Sequence, residues 1–127
     1  MTVDLPLEDM VAHMLEELPN ECVGLVLGDG SIVRLVNQAR SAERFFVGAA
    51  QISELFEGID ETIVATYHSH PSKPAMPSGE DQKFMAFISI VWPDVYHIIL
   101  SDHGHMAYHV SQDLDIERIP WPTTIPR

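Results

Sequence analysis

Apolar residues recur at helical spacing near the N-terminus, at Leu7, Met10, Val11, Met14, Leu15 and Leu18. Asp4 before Leu5 and Pro6 predicts the start of that helix, because Asp caps and Pro fits the first turn. Pro19 and Asn20 predict its end. The pattern then changes. Residues 22–28 form a short unbroken apolar run, the mark of a buried strand, and Asp29-Gly30 predicts a hairpin returning through residues 31–37. Residues 44–48 are read as a further strand and residues 49–58 as a short amphipathic helix closed by Gly58. Residues 62–70, rich in β-branched and aromatic side chains, predict a central strand. Three prolines between 71 and 79 demand a loop. A helix from Ser78 to about Ile90 follows, its apolar face carried by Phe84, Phe87 and Ile88. Residues 95–100 and 105–110 read as a hairpin about 101–104, and 114–119 as an edge strand. Helices interleaved with a mixed sheet predict an α/β or α+β fold in one domain spanning 1–127, with no repeat or linker.

Composition narrows the function. The 19 acids against 7 Lys and Arg give a net charge of -12, which repels phosphate backbones and excludes nucleic acid as a partner. No apolar run reaches the length of a membrane span. The N-terminus carries acids where a secretory signal would be basic. With Cys22 alone, no internal disulfide can form, so a soluble, cytoplasmic protein is expected.

Seven histidines invite a search for metal spacing. His68 and His70 lie two apart on a predicted strand, so their imidazoles share one face. If the proline-rich loop folds back, Asp81 in the first turn of the next helix completes a His, His, Asp set. Zinc accepts that donor set, and three protein ligands leave a fourth position for water. Glu21, directly before the apolar run, is the candidate general base, and Ser78 the candidate donor to an oxyanion.

The string His68-Ser69-His70-Pro71, followed by Ser78 and Asp81, resembles the JAMM (MPN+) metallopeptidase motif. The segment from Glu21 to Gly28 resembles the one in which that family places its catalytic glutamate. The likeness spans residue 1 to about 110, and every core position matches. It implies a cytidine-deaminase-like three-layer fold, with a mixed central sheet flanked by helices. It also implies one Zn2+ per chain and hydrolysis of peptide or isopeptide bonds, at the C-terminus of a ubiquitin-like protein or similar extended peptide. The short chain is similar to the compact prokaryotic branch. That branch includes enzymes that trim ubiquitin-like sulfur carriers and peptidase domains of phage tail-assembly proteins, and residues 36–40 and 45–47 resemble the segment between base and His-x-His in both groups. No second, cell-wall-hydrolase domain is expected. The pattern leaves the oligomeric state open.

Plainer readings stand beside these. Ser78 to Asp81 is also a capping box. Glu21 could be a solvated acid, and the fold could serve as a non-catalytic scaffold or binding module. Cys22 could be a nucleophile, although its apolar neighbours favour a buried strand residue. His103, His105 and His109 beside Asp102 form a second possible metal cluster, with exposed histidines the simpler reading. His13 and His97 are read as structural. The acids Glu54, Glu57, Asp60 and Glu61 are read as a solvated face. A zinc nucleoside deaminase is excluded, since it needs paired cysteines.

Overall fold

The computed structural model describes residues 1–59 and 61–127; Asp60, one of the four acids read as a solvated face, lies outside the described residues. The elements in chain order are β1 (Thr2–Asp4), α1 (Leu7–Glu17), β2 (Val23–Leu27), β3 (Ile32–Leu35), α2 (Ala49–Gly58), β4 (Ile63–Ser69), α3 (Gly79–Val91), β5 (Tyr96–Leu100), β6 (Met106–Val110), β7 (Ile116–Ile119) and β8 (Thr124–Pro126). Six strands form one sheet in the order β3-β2-β4-β5-β6-β7, and β1 and β8 form a separate ribbon. Within the large sheet β4 and β5 run parallel and the other neighbours antiparallel. The mixed sheet with helices against it agrees with the α/β class read from the pattern.

Strands β2 and β4 are buried at every position, which is why they read as continuous apolar runs rather than alternating ones. Their two faces supply two cores. Val26, Tyr67, Ile98 and Leu100 pack with Met10 and Met14 of α1 and with Ile125 of β8. Val23, Leu25, Leu27 and Ile63 pack with Ile88 of α3 and Leu55 of α2. The sheet is thus the middle of three layers. Directly opposite each other in the β2–β4 pair stand Gly24 and Tyr67. A Cβ on Gly24 would sit 2.3 Å from the Tyr67 ring, so only glycine lets that buried ring lie across the strand.

Three expectations need correction. Asp4 does not cap α1: it belongs to β1, paired with Thr124, and the helix begins after Pro6 without a side-chain cap. Leu15 and Leu18, counted into the apolar face of α1, and Phe87, counted into that of α3, are about half exposed or more. Residues 44–48 form no strand. The Asn37 side chain takes the places a neighbouring strand would have filled, accepting from Phe46 N and donating to the Arg44 carbonyl. Glu54 and Glu57 are exposed as expected, while Glu61 pairs with Arg127. Among the described residues no helix is long and apolar enough to cross a membrane.

His13 and His97 have the structural surroundings read for them. His13 Nδ1 lies 2.6 Å from the Tyr67 hydroxyl. His97 is fully buried between Thr66 Oγ1 at 2.7 Å and Ser89 Oγ at 3.0 Å. Burial, reinforced by His68 and His109, pushes the His97 imidazole down from 6.5 to about 3. The folded protein therefore keeps it neutral where the unfolded chain protonates it. Its contribution to stability is complete above pH ~6.5 and is lost as pH falls toward ~3. In urea unfolding across that window, His97→Gln should show a pH-dependent loss smaller than the wild type's by about 5 kcal/mol. Parallel curves would contradict the assignment.

Candidate metal centre

The site is built at the C-terminal end of β4, where four segments meet. The register of the β2–β4 pair places Val23 opposite His68. Continued outward, the same register brings Glu21 across from His70. Two bonds from Ser69 fix that extension: its N–H donates to the Cys22 carbonyl at 3.1 Å, and its Oγ accepts from Cys22 N at 2.8 Å. Strand alternation sends Ser69 to one face and both flanking histidines to the other. His70 N donates to Leu100 O of β5 at 2.9 Å, so the second histidine stays tied to the sheet after β4 ends.

Helix α3 supplies the carboxylate. Ser78 is its N-cap, with Oγ accepting from Asp81 N at 3.1 Å, while Asp81 Oδ2 accepts from Ser78 N at 2.9 Å. The capping box read from the sequence is therefore present, and it does not compete with the site. The same Oδ2 lies 2.9 Å from His70 Nε2 and 3.2 Å from His68 Nε2, and the two nitrogens are 3.2 Å apart. Ligand atoms of Glu21, His68, His70 and Asp81 all fall within 4.8 Å of one another, and all four residues are buried. Phe45 packs on His68 with ring centroids 4.7 Å apart and meets Phe84 edge-to-face, closing one side with apolar surface.

The donor set fits a divalent cation on its own chemistry. His70 Nδ1 donates to Pro74 O at 2.9 Å, which leaves Nε2 of the neutral ring as a bare lone pair aimed inward. Two imidazole nitrogens and a carboxylate oxygen this close repel one another unless a proton or a cation lies between them. Burial works against charge on Asp81, but its bonds from His68, His70 and Ser78 outweigh that and hold its carboxyl well below the usual range. Burial, the largest influence on His68, pushes that imidazole down. Burial acts the same way on His70, yet Asp81 and the Pro74 carbonyl outweigh it and hold His70 above its ordinary value. Neutral nitrogens and an ionised carboxylate are the form in which such side chains bind metal.

Glu21 differs from the other three. Among the described residues its Oε1 is buried without a hydrogen-bond partner, and its Oε2 meets only Lys73 Nζ, at 3.4 Å. Burial pushes the carboxyl up to about 7; Asp81 adds repulsion, whereas His70 and Lys73 pull the other way. A carboxylate of that kind can exchange a proton near neutral pH.

Several residues that hold the site carried no signal in the sequence analysis. Lys73 spans the site, donating also to the Glu43 carbonyl at 3.2 Å, while its own carbonyl accepts from Ser101 Oγ. Tyr108 OH donates to Ala75 O at 2.6 Å and pins the proline-rich loop. Asn37 donates to the Glu21 carbonyl at 3.0 Å. Asn just after a strand is a common turn residue, the one hint available. The second histidine cluster does not assemble: His105 Nδ1 accepts from Ser101 N, the His109 ring packs on Tyr96, and His103 is exposed. Among the described residues no other group of three metal-binding side chains converges. Cys22 is buried and its thiol is pushed up to about 11 by burial, which removes it as a nucleophile.

Comparison with known proteins places this geometry in context. The model of the family described as prokaryotic homologs of the JAB domain matches residues 6–115. A "Probable TtuB-protein conjugate cleaving protease" of Thermus thermophilus is 30% identical over 84 residues, covering 61% of this chain and 57% of that protein. The chain thus spans less than two thirds of that relative. A solution structure from Desulfitobacterium hafniense aligns with a TM-score of 0.65 at 23% identity, over 92% of this chain and 89% of the other. The crystal structure of a JAB1/MPN domain protein from Archaeoglobus fulgidus aligns at 0.54 and 21%, over 84% and 86%. At these identities the two structures speak for the fold.

A cation held here binds the folded chain alone and so stabilises it by linkage. Zn2+ added to chelator-treated protein, at about 1,000 times its dissociation constant, should raise stability by about 4 kcal/mol in thermal unfolding. His68→Ala and Asp81→Ala should abolish the gain, while His103→Ala keeps it. An equal gain in all three variants would place the ion elsewhere.

Proposed function

The chain belongs to the family of prokaryotic homologs of the JAB domain, and from that premise we propose that it is a zinc-dependent peptidase or isopeptidase. Residues 1–127 form its single catalytic domain, acting in the cytoplasm on the C-terminus of a ubiquitin-like protein or a similar extended peptide. The observation that carries the reading is Glu21, whose carboxylate lies within 4.8 Å of three converging ligand atoms and whose Oε1 is buried without a partner among the described residues. An orphaned buried acceptor costs stability, and a proton-transfer role accounts for its retention. The conjugate-cleaving activity in the name of the Thermus relative supports the same class of substrate. A lone buried thiol suits a reducing compartment.

His68, His70 and Asp81 would hold one Zn2+. When bound, zinc supplies a Lewis acid and lowers the pKa of a water molecule toward ~7. The chain's own groups do the rest. Glu21 Oε1 takes a proton from the attacking water, whose oxygen bonds to the scissile carbonyl carbon. Phe45 and the surrounding sheet keep bulk solvent away, so this charge movement occurs in a poorly screened site. Ser78 accepts from Asp81 N yet retains its hydroxyl proton, which it donates to the developing oxyanion. As the carbon–nitrogen bond breaks, Glu21 passes its proton to the leaving amine. Lys73 pairs with Oε2 of Glu21 and holds that carboxylate in place.

Glu21→Gln tests the reading most directly. Mass spectrometry should find one zinc per chain in both proteins. Cleavage of a C-terminally extended ubiquitin-like protein should fall by a factor of about 10²–10⁴ in the variant. Equal rates, or inactivity of the zinc-loaded wild type on peptide- and isopeptide-linked substrates alike, would sink it. Ser78 has two roles that separate. Ser78→Gly should cost only a few tenths of a kcal/mol, against about 1 for Ser78→Ala. Both should lower kcat by about 10²-fold through loss of the hydroxyl donor.

A further inference from the structure

Beside Asp81 runs a groove of about 450 Å3 whose walls hold four of the chain's five phenylalanines, Phe45, Phe46, Phe84 and Phe87. Two of them form a fixed floor: Phe45 and Phe84 meet edge-to-face at 5.0 Å, and Phe45 also rests on His68. The other two stand in water, Phe46 58% and Phe87 49% exposed. Exposed aromatic rings flanking a concavity mark a surface that another molecule covers.

The charge at this rim opposes that of the molecule. Arg44 and Lys83 line the groove, and among the described residues neither enters an ion pair. Of the other cations, Arg34 pairs with Glu16, Lys73 with Glu21 and Arg127 with Glu61, while Arg40 and Arg118 enter no ion pair among the described residues. Glu80 is the rim's acid apart from Asp81, so two cations face one free carboxylate in a chain of net charge -12. Such a local reversal attracts a negative group.

We infer that the groove is a specificity subsite that takes a large apolar side chain of the peptide substrate, adjacent to a carboxylate-bearing residue. This rests on the peptidase reading above. The occupant follows from continuity: Asp81 is at once a wall of the groove and part of the metal-binding group, and Phe45 touches His68. An extended substrate presented to Glu21 crosses this surface. Its apolar residue sits between Phe46 and Phe87 on the Phe45–Phe84 floor, and its carboxylate lies toward Arg44 and Lys83.

The experiment reads binding separately from turnover. Fluorescein-labelled hexapeptides of glycine and alanine, varied only at two adjacent central positions (Asp-Phe, Lys-Phe, Asp-Ser or Ala-Ala), are titrated by anisotropy into zinc-loaded Glu21→Gln protein. The same peptides are assayed for cleavage by the wild type. Asp-Phe should bind about ten-fold tighter than Asp-Ser or Ala-Ala. It should exceed Lys-Phe by about three-fold, a margin that shrinks at high salt. Phe46→Ala and Phe87→Ala alter exposed side chains and should remove the preference for Phe. Arg44→Glu with Lys83→Glu should reverse the preference for Asp over Lys. Equal binding of all four peptides, absence of binding, or a Phe preference unchanged in the alanine variants overturns the subsite. Selective binding without cleavage of any peptide keeps the subsite and counts against the peptidase reading; cleavage without selectivity does the opposite.

Discussion

The pairing register between β2 and β4 is the constraint on which the rest of the molecule depends. Because side chains alternate along a strand, a slip of one residue would turn His68 and His70 into the α1 layer and carry Glu21 past His70. Three features hold the register. Gly24 is the position that tolerates the Tyr67 ring across it. Tyr67 in turn is anchored through its hydroxyl to His13 of α1. Ser69 grips Cys22 by both its backbone and its side chain. None of these groups belongs to the candidate centre, yet each sets where its side chains arrive.

Around the converging side chains the backbone is irregular, and nearly every polar group there is satisfied by a named partner. Asn37 serves four backbone groups, tying residues 39–46 to Glu21. Lys73 joins the loop after β4 to Glu21 and to Glu43, and Ser101 holds that loop from the end of β5. Against this background the unpartnered Glu21 Oε1 stands out, since buried acceptors are ordinarily paired. Asp81 shows a related economy: one carboxylate oxygen both closes the first turn of α3 and faces two imidazoles.

What the sequence revealed followed its periodicities. His68 and His70 were legible because a two-residue spacing on an apolar strand has one geometric meaning, and Ser78 and Asp81 because a helix start has a local signature. Burial of β2 and β4 on both faces made them visible as runs. The placement of Glu21 needed the β2–β4 pairing, which the sequence suggested and the register supplied. Other features were hidden because they depend on distant partners. Asp4 has the residue type of a helix cap, but pairing between β1 and β8 claims it from the far end of the chain. Residues 44–48 have strand composition, yet a single amide side chain takes the strand's hydrogen bonds. Lys73 carried no signal, because only the fold brings Glu21 and Glu43 within its reach.

The small ribbon of β1 and β8 brings the first and last residues side by side: Arg127 N donates to Met1 O at 3.0 Å, and Leu5 N to Thr123 O at 3.0 Å. Neither residue pair lies in the sheet that carries His68. A short glycine-rich bridge could therefore join Arg127 to Met1, with the chain reopened at the exposed turn around Gln112 and Asp113. Such a circular permutant would keep the order β3-β2-β4-β5-β6-β7, and its new ends, side by side at an exposed turn away from β1 and β8, would serve for fusion of the domain into the middle of another protein.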